Sequence, residues 1–172
     1  YYQAARFFGK PEIIVRVTSD CPLIDPEILD QTIDFFLNND FDYASTGRIQ
    51  STFPDGLDTE IFKFSALEKA WREAKLPSER EHVTPYIWKN PELFRLGELK
   101  NSEDLSHLRW TVDEERDLEF VRAVFRRLYQ TGKIFHLRDV LDLLKKNPEL
   151  TEKNKSIVRD AGYFKSLKED QK

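Results

Sequence analysis

Two aspartates, Asp20 and Asp113, stand where an α/β protein usually does its chemistry. Asp20 closes the stretch "IIVRVTSD", in which a β-branched apolar run gives way to Thr18-Ser19-Asp20 before a helix start at Asp25-Pro26. Asp113 closes "HLRWTVD", where Leu108, Trp110 and Val112 alternate as a strand does, and a long amphipathic pattern follows. The two are 113 − 20 = 93 positions apart, yet neighbouring parallel strands would carry both to one edge of a sheet. Carboxylates meeting there repel unless a cation lies between them. A Mg²⁺ that also holds phosphate oxygens needs only one or two protein carboxylates. Each aspartate has a structural reading beside this one. Asp113-Glu114-Glu115 places acids at a helix N-terminus, where aspartate is a favoured cap. Asp20 is harder to explain that way, because Asp25 already caps the next helix.

The elements that must position these residues follow from pattern. Tyr2, Ala5 and Phe8 recur at helical spacing before Gly9 and Pro11 stop the run. Residues 13–17 read as a strand buried on both faces of a parallel sheet. Pro26 opens a helix that presents Leu29, Ile33 and Phe36. Residues 42–46 form a short strand candidate, and "TGRIQSTFPDGLD", residues 46–58, is a polar loop long enough to carry function. Residues 59–64 alternate as a strand. Ser65 with Glu68, and Ser78 with Glu81, have the spacing of capping boxes, the second helix being interrupted near Pro85. Two more strands are predicted at 93–99 and 107–112. A long helix runs from Glu114 to near Gly132, and a last one covers 137–146. The result is an α/β chain with a mostly parallel sheet flanked by helices, organised as one domain over 1–150 with a charged tail, 151–172, packed on it.

Composition narrows the function classes. The chain has 172 residues, 40% hydrophobic and 13% aromatic, ample for one core. A net charge of −4 spread along the length argues against a nucleic-acid footprint, which needs a clustered basic face. The single cysteine, Cys21, excludes an internal disulfide, fits a reducing compartment and has no paired base in view, so no catalytic nucleophile is assigned. No apolar run reaches membrane-spanning length and no signal peptide is present, which predicts a cytoplasmic location. With no methionine and Tyr1 first, the sequence reads as part of a longer chain.

Three long stretches, "VRVTSDCPLIDPEILD", "FPDGLDTEIFKFSALEKAWREAKLPSEREHVTPYI" and "HLRWTVDEERDLEFVRAVF", resemble the cytidylyltransferases of the acylneuraminate and 3-deoxy-manno-octulosonate synthetase superfamily. The resemblance is strongest to its spore coat polysaccharide biosynthesis (SpsF) group and covers nearly the whole chain. It implies a Rossmann-like fold shared by nucleotide-diphospho-sugar transferases. It also implies transfer of CMP from CTP to a sugar acid or related sugar, with Mg²⁺ as cofactor and pyrophosphate released, in polysaccharide biosynthesis. Carried over residue by residue, the family's metal ligands fall on Asp20 in "SDCPL" and Asp113 in "VDEERDL", with Ser19 and Asp20 on the nucleotide side. For the sugar, Asp55 and Asp58 of "PDGLD" offer hydroxyl acceptors, and Gly56 lets backbone approach closely. Arg80, Glu81 and His82 lie in the first turn of a capped helix that favours an anionic group. The partners implied are CTP and a sugar, with no nucleic acid or membrane, and a homodimer is possible.

One family element is missing. Nothing in the chain matches the glycine- and arginine-rich loop that grips the triphosphate after the family's first strand. The fold is therefore expected to be N-terminally incomplete, with an interior strand turned into an exposed edge, and the chain alone to hold CTP poorly. Two other readings stay open: a non-catalytic fragment or sugar-binding module, and a metal-dependent glycosyltransferase.

Overall fold

The computed structural model describes all 172 residues. Four strands, β1 (Ile13–Val17), β2 (Tyr43–Ser45), β3 (Thr59–Lys63) and β4 (Leu96–Glu98), form one sheet in the order β1-β3-β2-β4. β3 runs antiparallel to both β1 and β2, whereas β2 and β4 are parallel. The sheet is thus mixed, which corrects the expectation of a mostly parallel one. Short β-branched runs look alike in either pairing, and it is the return of the 46–58 loop that reverses β3 against β2. β1 is likewise not buried on both faces. It is an edge strand, with Val15 and Val17 41% and 38% exposed.

Helices cover both faces. Alternation along β3 sends Phe62 to one side, with Tyr43, Leu67 and Ile87, and Ile61 to the other, with Ala44 and Phe36. The first side is covered by α1 (Tyr2–Phe7), α3 (Phe64–Glu73) and α5 (Pro85–Trp88), and the second by α2 (Pro26–Leu37). Asp25 caps α2, accepting the Glu27 amide at 2.9 Å, and the helix buries Ile28, Thr32 and Phe36, with Ile33 half-buried against the Phe36 cluster as predicted. A second core gathers Trp110, Leu57, Phe120 and Val124 around α6 (Glu115–Leu128) and α7 (Leu137–Lys146). Asp25 reaches this core as well. Its Oδ2 accepts the first amide of α7, that of Leu137, at 2.6 Å, and Oδ1 meets His136 Nδ1 at 3.0 Å.

Several local expectations are corrected. Ser65 and Glu68 form no capping box, because α3 begins at Phe64 and Glu68 instead accepts the Tyr2 hydroxyl at 2.8 Å. α4 (Pro77–His82) is closed by Glu79, whose carboxylate takes the Leu76 amide at 3.3 Å, while Ser78 turns to Asp170. The chain then breaks at Val83, φ 74°, ahead of Pro85. Of 93–99 only Leu96–Glu98 pairs, and 107–112 joins no sheet strand, touching the 46–58 loop through one parallel bridge between Asp55 and Arg109. α6 ends at Leu128, short of Gly132. The tail forms a 3₁₀ helix (Pro148–Lys153) and α8 (Ala161–Glu169), which lies along α4. No helix is long and apolar enough to cross a membrane.

Candidate active site

A cavity of about 520 Å³ opens beyond the C-terminal end of β1, lined there by Arg16, Thr18, Asp20 and Cys21. The 109–114 segment forms a second wall, the 46–58 loop a third and residues 157–164 a fourth. Asp20 and Asp113 both border it. They reach it by a route the sequence did not predict: the Asp20 carbonyl accepts the Val112 amide at 2.8 Å and the Thr111 hydroxyl at 3.1 Å. An extended segment outside the sheet is laced to the loop after β1, and this brings the residue following Val112 to the same cavity as Asp20.

The acids and bases of the site form a buried lattice around Arg109. Its guanidinium donates to Asp117 through Nε and Nη2, to Asp55 through Nη1 at 2.9 Å and to Asp113 Oδ2 at 2.6 Å. Asp117, the N3 residue of α6, is wholly buried. It also accepts the amides of Asp113 and Glu114 and the Asn154 side chain, at 3.1, 3.0 and 2.9 Å. Burial works to raise its pKa, but Arg109, Asn154 and those two amides prevail and hold it at about 2. Asp113 is therefore not the cap of α6; Glu114 is, and Asp113 is held ahead of it with its carboxylate 57% exposed.

The "PDGLD" turn is fixed from inside. Gly56 adopts φ 105°, and a Cβ there would fall 2.6 Å from the Trp110 carbonyl carbon, so this approach of two backbones needs glycine. Asp58 accepts the Gly56 amide at 2.9 Å and Arg159 Nη2 at 2.7 Å. Burial pushes the Asp55 carboxyl up to about 6 despite Arg159 and Arg109 nearby. Further along the wall, Glu60 lies between Arg16, Arg48 and the Tyr43 hydroxyl, and Arg48 also pairs with Asp160 at 2.9 Å.

The structure gathers Asp20, Asp55, Asp58, His82 and Asp113 around one cavity, with Gly56 shaping its edge. Ser19 is exposed in the turn between the lining residues Thr18 and Asp20. Two predicted residues do not join. Arg80 turns outward to the Trp71 carbonyl at 2.6 Å, and Glu81 is engaged by the Ser166 hydroxyl at 2.6 Å, because α4 starts one residue ahead of Ser78 and is rotated relative to the predicted box. His82 reaches the same Ser166 through Nε2 at 2.9 Å. Burial pushes the Cys21 thiol up to about 12, which leaves it protonated at neutral pH and no nucleophile. Sequence reasoning missed Arg109, Asp117, Asn154, Arg48 and Arg159. Only Asp117 had a readable signal, as the acid four residues beyond Asp113.

The donor set fits a hard divalent ion. The Asp20 carboxylate receives nothing stronger than the Cys21 thiol at 3.6 Å, and only one oxygen of Asp113 is engaged by Arg109. Both groups keep lone pairs for a cation whose remaining ligands would be substrate oxygens and water. A second acidic cluster, Asp25, Glu27 and His136, has ligand atoms within 4.8 Å of one another. There both Asp25 oxygens are already committed to helix amides and to His136, so that cluster reads as a cap.

Comparison with known proteins agrees with this architecture. The sequence pattern of the cytidylyltransferase family matches residues 1–161. An uncharacterised protein of Methanocaldococcus jannaschii, MJ1063, is 39% identical over 170 residues, covering 95% of this chain and 65% of that protein. The Bacillus subtilis spore coat polysaccharide biosynthesis protein SpsF is 29% identical over 147 residues, covering 81% of this chain and 58% of its own length. A cytidylyltransferase structure from Leptospira borgpetersenii superposes with a TM-score of 0.83 at 38% identity, covering 92% of this chain and 65% of that one. The chain thus spans about two thirds or less of each of these relatives.

Proposed function

We propose a function from one premise, that this chain belongs to the cytidylyltransferase family: it forms the metal- and sugar-binding side of a sugar nucleotidyltransferase. The reaction is transfer of CMP from CTP to a sugar acid or related sugar with release of pyrophosphate, in polysaccharide biosynthesis. The observation that carries it is the hydrogen-bonded crossing of Thr111-Val112 over the Asp20 carbonyl, beside which Asp20 and Asp113 border one cavity.

Asp20 and Asp113 are the residues to hold Mg²⁺. That ion, when bound, neutralises charge on phosphate oxygens. Asp117 and Arg109 keep Asp113 in place, since a carboxylate on a freely rotating side chain would have to be ordered at each encounter. Asp55 and Asp58 are committed to Arg109, Arg159 and the Gly56 amide, so their direct role is to stiffen the turn. Their remaining lone pairs are available to sugar hydroxyls.

The test is a calorimetric titration with Mn²⁺. One site is expected in the wild type, lost in both Asp20→Asn and Asp113→Asn, while the melting temperature stays within about 2 °C because neither carboxylate sits in the core. Unchanged Mn²⁺ binding in both variants would overturn the assignment.

A further inference from the structure

Away from the candidate active site, α6 and the 3₁₀ helix of the tail enclose a second cavity of about 350 Å³, the size of a small-molecule site. Its floor is Ala123 and Leu150, both buried, and its rim carries Arg122, Arg126, Arg127 and Lys153 against a single carboxylate, Glu119. In a chain of net charge −4 this is a local reversal of sign. The one acid is already engaged. Glu119 stands three residues before Arg122, the spacing of a helix ion pair, yet turns to Lys153 at 3.3 Å. Acids on the elements nearby are taken too, Asp142 by Lys145 and Glu152 by Lys155. No carboxylate pairs with Arg122 or Arg126, and Arg127 gives one N–H to the Ala123 carbonyl at 3.0 Å.

Helix chemistry accounts for only part of this arrangement. Arg126 and Arg127 lie in the last turn of α6, where the carbonyl end of a helix favours cations. Arg122 lies a full turn earlier, outside that influence. At i,i+4 it stands beside Arg126 with the same charge, a pairing that lowers helix stability. An anion seated between the two removes that repulsion. Three guanidinium groups offer far more N–H donors than the two oxygens of one carboxylate accept, whereas linked phosphates present enough oxygens for all of them. The concave, molecule-sized shape suits a soluble anion better than the flat face of a lipid bilayer.

We propose that this cavity is a second anion site that takes a soluble polyphosphate among the guanidinium groups of Arg122, Arg126 and Arg127. It is separate from the Asp20 and Asp113 cavity, with which it shares no lining residue. Because the protein itself supplies the positive charge, no divalent ion is needed there.

The experiment is calorimetric titration of the full chain, in metal-free buffer, with inorganic phosphate, pyrophosphate and tripolyphosphate. Sedimentation with phosphatidylcholine vesicles, with and without phosphatidic acid, is the second arm. One site is expected, tighter for the two polyphosphates than for phosphate and weakened by added NaCl, which screens exposed charges. Arg122→Gln combined with Arg126→Gln should weaken it at least about tenfold, the loss expected when charge-assisted hydrogen bonds are removed. Arg138→Gln combined with Lys168→Gln removes the same charge from exposed positions outside the cavity and should leave affinity within about twofold. Asp20→Asn should likewise leave it unchanged, since that carboxylate borders the other cavity. Melting temperatures should hold in the arginine variant, because neither side chain has a protein partner to lose. Absence of binding by all three anions would overturn the site. So would equal losses in the two double variants, affinity kept in the arginine variant, or association with phosphatidic acid vesicles alone. A drop of several degrees in the arginine variant would also overturn it, by giving those side chains a structural task.

Discussion

Replacing Asp117 by Asn changes one buried atom and disturbs the whole lattice. The Asp117 carboxylate accepts five hydrogen bonds: Arg109 Nε and Asn154 Nδ2 on one oxygen, and Arg109 Nη2 and the amides of Asp113 and Glu114 on the other. Whichever way an amide side chain turns, its NH₂ faces two or three donors. Arg109, whose side chain is 6% exposed, also loses the bidentate half of its counter-charge. Breaking a buried pair from one side costs about 3–5 kcal/mol. At about 2–4 °C per kcal/mol for a chain of this size, Asp117→Asn should melt about 10 °C lower. The acid side supplies an independent figure. A carboxyl held at about 2 against an ordinary 3.8 stabilises the fold by about 2 kcal/mol. Because the folded value is depressed, this contribution is present above about 3.8 and disappears as pH falls through about 2. Urea denaturation followed by circular dichroism, at neutral pH and in steps from about pH 5 to pH 2, measures both. A neutral-pH loss under about 1 kcal/mol, or an acid limb as steep in the variant as in the wild type, would refute the view that the pair is a buried charge pair.

Two further outcomes follow from geometry. Gly56→Ala should cost about 2 kcal/mol or more, since φ 105° is strained for alanine and its Cβ would press on the Trp110 carbonyl carbon; a melting temperature equal to wild type would show that the turn can shift. The hydrogen bond and charge of Asp25 raise the pKa of His136 above its ordinary 6.5, so its stabilising contribution is complete below that value and is lost as pH rises through the higher folded one. Thermal melts across that range should show the gap between wild type and His136→Gln closing as pH rises, and a constant gap would contradict the assignment.

Much of this molecule was legible from local chemistry. Asp25-Pro26 announced α2, the 137–146 helix appeared at its predicted residues, and the break before Pro85 followed from the missing amide hydrogen. Strand direction was not legible, because Ile13–Val17 carries the same β-branched signature in either pairing and only the partner decides. Helix starts misled where a longer-range acceptor outbid the local one, as when Ser78 turned to Asp170, 92 positions away. In the candidate site, Asp20 stood out for want of a capping task. Arg109 and Asn154 did not, since an arginine in "HLRW" and an asparagine in a charged tail look ordinary until Asp117 is seen between them.

The carboxylate of Asp25 closes two helices at once, one lying on the sheet and one on the separate Trp110 core. Neither core can come apart from the other without stripping a helix start of its acceptor, so a partly opened chain bears the penalty of both ends. That linkage should join the two clusters into a single cooperative unit, and one melting step is the expected result.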